Sequence, residues 1–160
     1  MIPKKTFLLF TTLITILTAG LLAACGAISA QPPATATPTC QPSPIQTSKT
    51  GFHEIRGNMA TDGELWALLF FEKPHAQTVL KIAWRMSGVG GDFSISFLAR
   101  HPDGTVIAPT WGPEFHGGSN WERPGDEWGT GFNFPKPGCW TIIATRGTIK
   151  GEIRLDVLAP

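Results

Sequence analysis

The amino-acid sequence predicts an all-β body: an antiparallel β-sandwich of about seven to nine strands. Three observations predict it. Apolar and polar residues alternate with period two over several segments of the C-terminal two thirds, which marks half-buried strands. Turn signals separate those segments. Gly (18) and Pro (14) make up a fifth of the 160 residues, and no window of ten or more beyond the N-terminus has a helical period, which argues against a bundle.

Residues 1–24 have the make-up of a signal peptide. Lys4 and Lys5 form a short basic region, and residues 6–24 carry no charge, with Phe7, Leu8, Leu9, Phe10, Leu13, Ile14, Ile16, Leu17, Leu21 and Leu22 as the apolar run. The alternative is an uncleaved span, for which the stretch is short and diluted by five Thr. The run ends in Leu22-Ala23-Ala24-Cys25-Gly26, which resembles the lipobox of bacterial lipoproteins. That resemblance implies cleavage before Cys25 and a diacylglyceryl thioether on its sulfur. It also implies an extracytoplasmic protein whose partner is the membrane, held through the lipidated Cys25. Each buried acyl methylene contributes about 0.8 kcal/mol, so two chains hold stably where one does not.

Residues 25–50 read as a linker, with five Pro, five Thr and no charge before Lys49. Such composition buries too little apolar surface to fold and favours extended segments. About 25 residues at about 3 Å each give a stalk of at most ~75 Å. Losing Lys4 and Lys5 with the leader leaves 11 basic against 12 acidic residues, so charge gives no argument for nucleic acid as a partner.

Residues 51–160 form the predicted domain. Residues 65–71 are continuously apolar between Asp62-Gly63 and Pro74. In 79–86, Leu80, Ile82, Trp84 and Met86 share one face; in 93–99, Phe93, Ile95, Phe97 and Ala99 do. Gly88–Asp92 between them reads as a hairpin turn, and Asp103-Gly104 as a second turn before Thr105-Val106-Ile107. Trp140, Ile142 and Ala144 alternate with Thr141, Ile143 and Thr145. Ile149, Gly151, Ile153, Leu155 and Val157 then form the cleanest alternation in the chain. The segment Pro137-Gly138-Cys139-Trp140 resembles the Pro-Gly-X-aromatic corner before a late strand of immunoglobulin-like sandwiches, with Trp in place of the usual Tyr. Indole donates one hydrogen bond and accepts none, so the corner bond does not follow from the resemblance.

Cys40 and Cys139 remain once Cys25 is lipidated. Outside the cytoplasm they can oxidise to a disulfide that ties the stalk to the late strand. Alternatively, Cys139 is a small buried apolar residue and Cys40 a free thiol in the linker.

Residues 109–131 stand out as a long Gly-rich loop with three of the six Trp. Trp111, Trp121 and Trp128 offer flat faces to a saccharide, and His116, Asn120, Glu122 and Arg123 offer hydrogen bonds to its hydroxyls. The alternative reading has these Trp closing one end of the sandwich, with Arg123 stacked on one of them. Glu114 with Glu122, Asp126 or Glu127 would be the carboxylate pair of a small glycan hydrolase. Other catalytic templates fail. His53-Glu54 is followed by Gly57 where a zinc-protease helix needs its second His. Gly117-Gly-Ser119-Asn-Trp121 lacks the last Gly of a nucleophile elbow. His53, His75, His101 and His116 have no ligand spacing, so no metal and no cofactor are expected. The reading is a non-enzymatic, lipid-anchored module that binds a saccharide or an envelope protein through 109–131; the alternatives are a structural accessory lipoprotein and a small glycan hydrolase.

Overall fold

The computed structural model describes residues 39–88 and 94–160. The expected leader, the lipobox at Cys25, the stalk up to residue 38 and residues 89–93, with Phe93, lie outside the described residues. The strands read as a hairpin on either side of Gly88–Asp92 belong to different sheets, so the connection crosses between sheets. The described chain is all-β, with eleven strands and no helix. They are β1 (Ile45–Thr47), β2 (His53–Arg56), β3 (Asn58–Met59), β4 (Leu65–Leu69), β5 (Val79–Met86), β6 (Ser96–Arg100), β7 (Val106–Ile107), β8 (Trp111–His116), β9 (Asp126–Asn133), β10 (Gly138–Arg146) and β11 (Ile149–Val157). The count exceeds seven to nine because β1, β3 and β7 are only two or three residues long, too short for a period to show.

Two antiparallel sheets result. The six-stranded sheet runs β1-β2-β4-β5-β9-β8 and the five-stranded sheet β3-β11-β10-β6-β7. Their inner faces share one core. Ile55, Leu65, Ala67, Leu69, Ile82, Trp84, Trp128 and Phe132 come from the first sheet; Phe97, Ala99, Trp140, Ile142, Ile153 and Leu155 come from the second. The alternation read in β5, β10 and β11 puts the expected residues inside, as it does for Ile95, Phe97 and Ala99 at β6. Within the core, the Trp84 indole donates to the Thr130 hydroxyl at 2.8 Å, so this buried N–H is satisfied.

Trp140 lies fully buried, and its indole Nε1 donates 3.0 Å to the carbonyl of Lys136. The buried indole N–H is thereby satisfied by the chain just before β10. Cys40 and Cys139 are joined in a disulfide. The linker expected to run to residue 50 ends earlier: β1 pairs with β2 from Ile45 to Thr47, and Ser43 donates its N–H to the Arg154 carbonyl. The signal was weak because β1 is exposed along its whole length and has no apolar face to alternate.

The continuous apolar run of β4 has a specific cause. Leu65, Ala67 and Leu69 face the core between the sheets, whereas Trp66 and Leu68 lie in a second cluster on the outer face with Ala83 and Trp121. Both faces of β4 are covered, so both are apolar.

Candidate functional site

The stretch expected to be one long loop is a pair of strands with a cap between them. Residues 111–116 and 126–133 are β8 and β9, paired at Trp111 with Gly131, Glu114 with Gly129, Phe115 with Trp128 and His116 with Glu127. Only residues 117–125 form a connection. It folds back over the outer face of the six-stranded sheet, where Trp121 packs on Trp66, Leu68 and Ala83.

Two arginines fasten this cap. Arg85, on β5, donates through Nε to Glu127 at 3.0 Å, through Nη1 to the Arg123 carbonyl at 2.5 Å and through Nη2 to the Ser119 hydroxyl at 3.1 Å. Arg123, on the cap, donates through Nη2 and Nε to the two oxygens of Glu54 and lies 3.8 Å above the Trp66 ring. Trp121 Nε1 adds a bond to Glu54 at 3.1 Å. Glu54 is 1 % exposed although it sits on the outer face, because the cap covers it. Burial pushes its carboxyl up, but the Arg123 and Trp121 hydrogen bonds and the Arg123 charge together outweigh burial and hold it below its ordinary value.

Beside the cap runs a trough of about 390 Å³. It is lined by Leu68, Ala83 and Gly129 of the sheet, by Asn120 and Trp121 of the cap, by Trp111, Glu114 and His116 of β8, and by Phe52, Phe70 and Lys81. The small residues Ala83 and Gly129 keep the floor low between the two indoles. Trp111 lies flat over glycine: a Cβ on Gly131 would fall 1.9 Å from its Nε1, and one on Gly129 would fall 3.4 Å from its ring. The glycines of β9 thus fix the ring as a platform, one face against backbone and the other toward the trough. A second cleft of about 240 Å³ lies beyond the cap, between Ser48–Thr50 and residues 120–123. Asn120 and Trp121 line both clefts, and Lys49 and Glu122 meet at 3.8 Å near the second.

The structure sorts the expected site residues. Trp111, His116, Asn120 and Trp121 come together around the trough. Glu122 and Arg123 line the second cleft, with the Arg123 guanidinium committed to Glu54. Trp128 is not at the site: it is 1 % exposed, in the core beneath Arg146. The three Trp therefore share no face. Arg123 does stack on a tryptophan, but on Trp66 and not on one of the three. Lys81 and Ala83 join the trough from β5, and Phe52 and Phe70 from positions just before β2 and just after β4; none of the four lies in the 109–131 stretch.

Of the carboxylates named for hydrolysis, Glu114 and Glu127 both line the trough, whereas Glu122 lines the second cleft and Asp126 lines neither. Asp126 pairs with the buried Arg146 at 2.5 Å, whereas Glu127 turns to the outer face and bonds Arg85 and Ser119. His116 Nδ1 lies 3.5 Å from Glu127. The Ser119 hydroxyl donates to that same carboxylate, so Ser119 and His116 meet at an acid and not at each other. Nucleophilic activation would require the Ser–His bond.

Comparison with known protein families, curated proteins and solved structures finds no match to this chain.

Proposed function

We propose that the protein is a lipid-anchored, extracytoplasmic β-sandwich that binds a saccharide non-enzymatically in the trough between Trp111 and Trp121. The observation that carries this reading is the Trp111 platform, an indole laid on glycine with one face toward a trough rimmed by Asn120, Glu114 and His116. Pyranose rings offer C–H faces to such a ring and hydroxyls to such a rim, and concave sites of this make-up are where small ligands bind. Ser119 and Glu127 bond each other and Arg85, and Asp126 bonds Arg146, which favours holding a ligand over cleaving one.

The lipobox-like run ending at Cys25 supports the anchor. The Cys40–Cys139 disulfide fits an oxidising compartment. The Trp140-to-Lys136 bond supports the immunoglobulin-like reading of the sandwich. Titration of Trp fluorescence with a panel of soluble glycans tests the binding reading; a panel that leaves the spectrum unmoved overturns it.

A further inference from the structure

The trough carries one positive charge with no acid assigned to it. Lys81 is exposed, its ammonium lies 4.5 Å from the centre of the Phe70 ring, and among the described residues no carboxylate pairs with it. Register places it in line with the platform: Lys81 is opposite Gly131 on β9, and Gly131 is opposite Trp111 on β8. Adjacent strands are about 4.8 Å apart, so the backbones of Lys81 and Trp111 are about 10 Å apart. The residue between them is the glycine over which the Trp111 ring lies. The other cationic candidate at the trough, His116, lies beside Glu127, and the Arg85 guanidinium is bonded to Glu127, Ser119 and the Arg123 carbonyl. Glu114 sits one register step away, opposite Gly129.

We propose that the trough selects saccharides bearing a carboxylate, uronic acids among them, with the sugar ring on Trp111 and its carboxylate at Lys81. The proposal rests on the saccharide reading above and narrows its ligand. A carboxylate at Lys81 forms an ion pair together with the hydrogen bond, whereas a neutral sugar offers the hydrogen bond alone. Hydroxyls at the other end of the ring meet acceptors in Glu114 and Asn120. Phe70 lies beneath the ammonium itself, a cation–π contact that places the lysine head at the trough.

The test compares oligogalacturonides with their methyl-esterified counterparts of equal length, in which each carboxylate is replaced by a neutral ester. Binding to the full chain is measured by calorimetry, for wild type and for Lys81→Met, which keeps an apolar stem over Phe70. Wild type is expected to bind the acid form about five- to tenfold more tightly at low ionic strength, with the margin shrinking as salt rises. Lys81→Met is expected to bind both forms alike, with an unchanged near-UV spectrum confirming its fold. Equal binding of both forms by wild type overturns the carboxylate preference and leaves the saccharide reading standing. A preference that survives Lys81→Met overturns the assignment to Lys81. Binding of neither form overturns the preference, and a panel of neutral glycans then decides separately on the saccharide reading.

Discussion

Arg123 closes both oxygens of Glu54, a carboxylate 69 positions earlier in the chain, and that contact holds residues 117–125 down on the sheet. The cap is what gives the trough its second wall, so a buried ion pair on the outside of the sandwich positions a candidate binding residue, Trp121. Removing Arg123 leaves a carboxylate that is 1 % exposed with only the indole N–H as a partner. Arg123→Ala should cost about 3 kcal/mol, the lower end for breaking a buried pair, because the Arg123 side chain is 31 % exposed. Urea denaturation of the two forms measures this. The Glu54 carboxyl is held below its ordinary value in the folded protein. Its contribution is therefore fully present above the unfolded value of about 4.3 and is lost as pH falls below that toward the folded value. Glu54→Gln should be less stable at neutral pH and should flatten this acid limb; an unchanged limb contradicts the assignment.

Gly131→Ala tests the platform without touching the indole itself. A Cβ there would fall 1.9 Å from Trp111 Nε1, so the ring must leave the floor. Gly131 has ordinary extended backbone in the middle of β9, where alanine costs little by itself. We expect a change in Trp emission, loss of glycan binding and a stability change of about 1 kcal/mol or less. Retained binding would mean that Trp111 is not the platform.

The Cys40–Cys139 disulfide closes a sequence separation of 99 residues. A loop of that length contributes at most about 4.7 kcal/mol by the chain-entropy argument, and removal of native bridges typically costs about 2–5 kcal/mol. The double variant Cys40→Ser, Cys139→Ser should fall within that range by thermal or urea unfolding. A loss below about 1 kcal/mol would show that strand pairing alone fixes the N-terminal segment.

The proposed lipidation rests on a single sulfur. Cys25→Ser should abolish incorporation of labelled fatty acid, since only a thiol forms the thioether. Labelling that persists would place the acyl group elsewhere.

Much of the fold was legible because β5, β6, β10 and β11 each bury one face and expose the other. The strands of the site were not. β8 contributes one half-buried residue followed by five exposed ones, so it has no apolar face to alternate, and it contains Pro113 at a sheet edge. β9 did carry a signal: Trp128, Thr130 and Phe132 are inside, with Glu127, Gly129 and Gly131 on the other face. Its glycines, depleted in strands generally, disguised it as a loop. Trp128 therefore reads as a site residue in the sequence, although its alternation with Phe132 marks it as core. Trp111, His116, Asn120 and Trp121 were found because aromatic and polar residues cluster in one stretch. Glu54, Lys81 and Ala83 were missed because they reach the site only through strand pairing across the sheet, which no local pattern encodes.

The most direct test of the account is a fluorescence and calorimetric titration of wild type and Trp111→Ala with a glycan panel that contains neutral and carboxylated oligosaccharides. Trp111 is half-buried at the surface, so the variant should fold, with unfolding within about 1–2 kcal/mol of wild type. The account predicts saturable binding of at least one glycan by wild type and loss of that binding in Trp111→Ala. A glycan bound equally by both proteins, or a panel bound by neither, would contradict it.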